Sequence, residues 1–105
     1  MKVTLNVPER LNITEIIMSL KYNRALLQSA YDTVEALAFT KEEIELNGIK
    51  SKENGTSWEK NIEMTFDIPD DVIQKVETYF NTLLDREQMQ LQLKSLYDKF
   101  QIKEK

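Results

Sequence analysis

The chain predicts an α+β fold: about five helices with a small antiparallel sheet, in a single domain spanning residues 1–105. Three observations carry this. Val3, Leu5 and Val7 alternate with polar residues, and so do Ile62, Met64, Phe66 and Ile68, the two-residue period of a half-buried strand. Through 9–20, 24–38 and 70–86 the apolar residues recur instead at three- and four-residue spacing, the helical period. Asn54-Gly55 between them is a hairpin signal.

In chain order, the first strand covers 3–7 and stops at Pro8, which has no N–H for a ladder but suits a helix's first turn. Leu11, Ile13, Ile16, Ile17 and Leu20 make a helix over about 9–20. Asn23 is an N-cap candidate, with Tyr22 and Leu27 placed as a hydrophobic staple. Leu26, Leu27, Ala30, Tyr31, Val34, Leu37 and Ala38 follow as an apolar stripe over 24–38. Thr40 and Glu43 form a capping box, and Asn47-Gly48 supplies a left-handed stop, so a short helix is expected over 41–47.

The segment 49–68 reads as a hairpin that the N-terminal strand joins. Pro69-Asp70-Asp71 opens a helix over 70–86, expected to pack on the sheet with the 24–38 helix. A final helix over 89–100 follows a break near Asp85–Gln88.

Composition narrows the chemistry. The chain has no cysteine and no histidine, which excludes thiolate nucleophiles, imidazole bases and Cys/His zinc sites. No apolar run has the length of a signal peptide or membrane span, so no membrane association is expected. The net charge of −4 is unevenly placed: residues 39–71 hold four basic and nine acidic side chains. The two glycines cannot form a phosphate loop. Asp67, Asp70 and Asp71 are read as complements to a helix N-terminus rather than as metal ligands. No catalytic residues, metal or cofactor are expected.

The element order resembles a winged helix, with 26–38 and 41–47 as the helix-turn-helix and 49–68 as the wing. The segment in the recognition position, Lys41-Glu42-Glu43-Ile44-Glu45-Leu46, carries three glutamates where a DNA reader needs basic or amide side chains. Nucleic acid is therefore not the expected partner. A nucleic-acid-associated regulator acting through Lys50, Lys52 and Lys60 is the alternative reading.

The candidate partner-binding residues are Trp58, Glu42, Glu45, Lys50 and Lys52. Trp58 is the only tryptophan, and is either an exposed anchor or a cap on the core. Leu91, off the last helix's stripe beside Gln88, Gln90 and Gln92, offers a homodimer contact.

Three stretches bear a family resemblance: Val3-Thr4-Leu5-Asn6-Val7-Pro8-Glu9-Arg10-Leu11, the Phe39-Thr40-Lys41-Glu42-Glu43 start that closes at Gly48-Ile49-Lys50, and Ser95-Leu96-Tyr97-Asp98-Lys99-Phe100. Together they resemble a group of short, uncharacterised proteins of tailed bacteriophages and prophages. The resemblance implies a bacterial cytoplasm and an accessory role during infection, and it brings no functional residue. The expectation is a non-enzymatic protein-interaction module that binds a host or phage protein.

Overall fold

The computed structural model describes residues 1–52 and 55–101, and the expected turn residue Asn54 lies outside them. The elements are β1 (Lys2–Leu5), α1 (Val7–Ser19), α2 (Arg24–Leu37), α3 (Lys41–Asn47), β2 (Lys50–Lys52), β3 (Gly55–Ser57), β4 (Met64–Asp67), α4 (Asp70–Asp85) and α5 (Lys94–Gln101). The fold is α+β.

Helix α1 starts two residues earlier than expected, and local chemistry explains it. Asn6 accepts from the Glu9 N–H, and the Glu9 carboxylate accepts from the Asn6 N–H, a reciprocal capping box. Val7 therefore leaves the strand and is buried in the helix's first turn. Asn23 and Thr40 cap α2 and α3 through their side chains as expected. Gly48 closes α3 at φ 61°, the left-handed region that only glycine enters without strain.

The sheet differs from the expected one. Residues 49–68 do not form one hairpin with β1 alongside. β1 pairs antiparallel with β4, matching Val3 with Phe66 and Leu5 with Met64, while β2 and β3 form a separate ribbon. β2 and β3 pair with each other over 50–57, which leaves 64–67 to pair with the N-terminal strand.

Helix α1 is central and packs against α2, α4 and α5. Helix α5, rather than α4, makes the main helical contact with β1. The core gathers Val3 and Leu5, then Ile13, Ile16 and Ile17, then Ala30 and Leu37. Ile68, Val72, Ile73, Val76, Phe80, Leu96 and Phe100 complete it, with Phe80 ringed by Tyr79, Tyr97 and Phe100. Among the described residues, none from Phe39 to Ile62 belongs to this cluster or its apolar shell.

The break expected near Asp85–Gln88 is present, and the last α-helix starts later than the expected residue 89, at Lys94. α4 ends with Gln88 N–H bonded to Leu83 C=O and Glu87 N–H to Leu84 C=O, a Schellman closure with Glu87 at φ 56°. Residues 88–90 are irregular, and a 3-10 turn at Leu91–Leu93 leads into α5.

Candidate functional site

The residues singled out by sequence fall at separated points of the α3–ribbon segment. Lys50 pairs with Ser57 across the ribbon, so Trp58 follows just beyond the end of β3. Asn47 C=O then accepts from the Glu59 and Lys60 N–H groups and draws this strand end onto the close of α3. Trp58 is half-buried. It is neither a fully exposed anchor nor a part of the main core. Glu42 stands at the opposite end of α3, in its first turn, and Glu45 is exposed near its last. Lys52 pairs with Gly55 at the far end of the ribbon, and its side chain lies outside the described residues.

Asp67, Asp70 and Asp71 do not converge on one point. The N-terminal ammonium lies 3.2 Å from Asp67 and 3.5 Å from Asp70. Asp71 accepts from the Ser29 hydroxyl and from the Val72 N–H. Among the described residues, no three carboxylates gather as a metal-holding group.

Two buried charges that sequence reading missed are structural. Arg10 donates to both oxygens of Glu43, through Nη1 at 2.6 Å and Nη2 at 3.3 Å. It also donates to the Leu37 and Ala38 carbonyls at the end of α2, and its guanidinium lies over the rings of Phe39 and Phe66. The guanidinium, with the Thr40 N–H, holds the Glu43 carboxyl below its ordinary range despite partial burial. Burial alone would raise the Glu9 carboxyl, but Lys99 at 2.6 Å, the Asn6 N–H and the Ser95 hydroxyl together lower it. Each charged group is matched by partners, so neither is a poised acid or base.

The surface that stands out lies on the other side of the molecule. Between the C-terminal half of α1 and the outer face of α2 runs an open apolar groove of about 320 Å³. Ile17 and Ala30 form its floor, and Met18, Leu20, Tyr22, Leu27, Tyr31 and Val34 form its walls. Met18, Leu27 and Tyr31 are 69%, 58% and 59% exposed, far more than packing on a core allows. The Tyr22 hydroxyl is anchored on the Ile17 carbonyl, and Lys75 Nζ lies 5.5 Å from its ring centre, which fix one wall.

Leu27 and Tyr31 were expected to be core residues. The signal against that was in the spacing. Leu26, Ala30, Thr33 and Leu37 make one stripe, and Leu27, Tyr31, Val34 and Ala38 make a second beside it. A surface helix has one core-facing stripe, and α2 turns the first inward. Of the second, Leu27 and Tyr31 are left at the surface while Val34 packs partly against the core.

A second depression, of about 330 Å³, is mixed in character: Asn12, Glu15, Ser19, Gln88, Gln90 and Gln92 line it together with Ile16, Tyr79, Leu83 and Leu93. Leu91 beside it is 91% exposed. Among the described residues, no helix is long and apolar enough to cross a membrane. No protein-family model, curated protein or solved structure matches the chain.

Proposed function

We propose that this chain is a non-enzymatic protein-interaction module whose partner surface is the α1–α2 groove. The observation that carries the reading is the exposure of Met18, Leu27 and Tyr31 side by side over an apolar floor. The groove matches the mode in which a partner helix lays an apolar face into a hydrophobic channel. The two tyrosines and the methionine in its walls are residue types enriched at such contacts. The resemblance to short phage and prophage proteins supplies the setting, a bacterial cell, with a host or phage protein as partner.

The test is affinity capture from lysate of phage-infected bacteria with three baits: the natural chain, Leu27→Asp and Trp58→Ala. The proposal expects a partner retained by the natural chain and by Trp58→Ala but lost with Leu27→Asp. Retention by Leu27→Asp together with loss in Trp58→Ala would move the surface to the α3–ribbon segment.

A further inference from the structure

We infer that the groove's occupant is a second copy of this chain, in a two-fold dimer whose α2 helices run antiparallel. The inference rests on reading the groove as an interaction surface and names what fills it in the isolated chain. Arg24, Leu27, Tyr31 and Glu35 are spaced by three, four and four residues, so they share one face of α2. All four are exposed. Read along the helix, that face is basic, apolar, apolar, acidic.

Reversing the direction of such a face inverts its charges and leaves its centre apolar. An antiparallel copy therefore sets Arg24 against the other copy's Glu35 at one end and Glu35 against its Arg24 at the other. Leu27 meets Tyr31 twice between them. A parallel copy would oppose like charges at both ends. The antiparallel arrangement is isologous, so one patch serves both copies and the assembly closes at two.

Both charged groups are available for it. Arg24 makes no ion pair among the described residues, so its planar fork of donors is open to a carboxylate. Glu35 is engaged locally with the Tyr31 hydroxyl, which raises that phenol's pKa. A carboxylate has about four acceptor positions, so a guanidinium can join. Met18 on the neighbouring helix widens the apolar centre beyond two side chains.

The experiment is sedimentation equilibrium on the natural chain, Arg24→Glu, Glu35→Arg, Leu27→Asp and an equal mixture of the two charge variants. The positions are exposed, and melting curves check that each variant is folded. The natural chain is expected to sediment as a dimer, and Arg24→Glu and Glu35→Arg each to associate about tenfold more weakly or less. Their mixture regains the dimer as a heterodimer, because one end contact is the natural one and the other is restored with its charges reversed. Leu27→Asp abolishes association.

A natural chain that stays monomeric overturns the inference, as does a mixture no better associated than its components. A dimer that survives Leu27→Asp also overturns it. Capture with the same Leu27→Asp chain separates the two readings. If the natural chain is monomeric and capture is still lost in Leu27→Asp, self-association fails and the interaction module stands.

Discussion

Arg10 and Glu43, 33 residues apart, are joined by a 2.6 Å contact that ties the central helix α1 to α3. The Arg10 side chain is 3% exposed and that of Glu43 14%. Among the described residues none of 39–62 belongs to the main core cluster, so this pair, the Arg10–Phe39 contact and the Val7 N–H bond to Asn61 Oδ1 help hold the α3–ribbon segment against the body. Removing one partner of a buried pair leaves the other uncompensated.

Arg10→Ala is therefore expected to lower unfolding free energy by about 3–5 kcal/mol in urea titration. Amide exchange should accelerate most in α3 and the β2–β3 ribbon. Arg10→Lys keeps the charge without the planar fork and should fall between. An equal loss of protection throughout the chain would contradict the role of Arg10 as the tie.

Stability should depend on acid through the same groups. Glu43 and Glu9 both ionise at lower pH in the folded chain than their ordinary value of 4.5. Their stabilisation is complete above that value and is lost as the pH falls through the lower folded values. The melting temperature should hold from neutral pH down to the 4.5 region and decline below it. Glu43→Gln should lower the plateau and shallow the decline.

Two left-handed positions carry opposite expectations. Gly48→Ala, at φ 61°, should cost about 1–2 kcal/mol from backbone strain. A Cβ there also comes within 2.6 Å of the Glu59 side chain, which is exposed and able to swing aside. Glu87, at φ 56°, stands where a Schellman closure prefers glycine, so Glu87→Gly should raise stability by about 0.5–1 kcal/mol. Thermal melts of the two variants decide both.

Trp58→Ala should cost clearly less than Phe80→Ala. Phe80 is fully buried at the centre of the aromatic cluster, where truncation costs about 3–5 kcal/mol. Trp58 is half-buried and outside that cluster. Equal losses in chemical denaturation would place Trp58 in the cooperative core.

Much of the fold was legible because local chemistry sets it. Asn23, the Thr40–Glu43 box, Gly48 and Pro69 mark helix ends by capping and backbone geometry that act within a few residues. What was hidden depends on distant partners. β4 pairs with β1 across some sixty residues, and no local pattern distinguishes that pairing from a hairpin with β2. Ile62 and Met64 alternate as a buried face should, yet they are 41% and 46% exposed. Opposite Met64, Leu5 is fully buried, and on β4 it is Phe66 that packs against the core, so the core covers β1 more fully than β4. Arg10 reads as a surface residue until Glu43, Phe39 and Phe66 are brought around it. The groove was half legible, as a stripe on α2 too wide for one face; Met18 from α1 had to be placed beside it.

Occupation of the groove by a second copy is the central claim, and backbone amide NMR spectra across a concentration series test it most directly. The account predicts shifts that grow with concentration at Met18, Leu27, Tyr31 and Val34, with Glu42, Glu45, Lys50 and Trp58 unmoved. Shifts confined to Trp58 and α3, or spectra unchanged at every concentration, would contradict it.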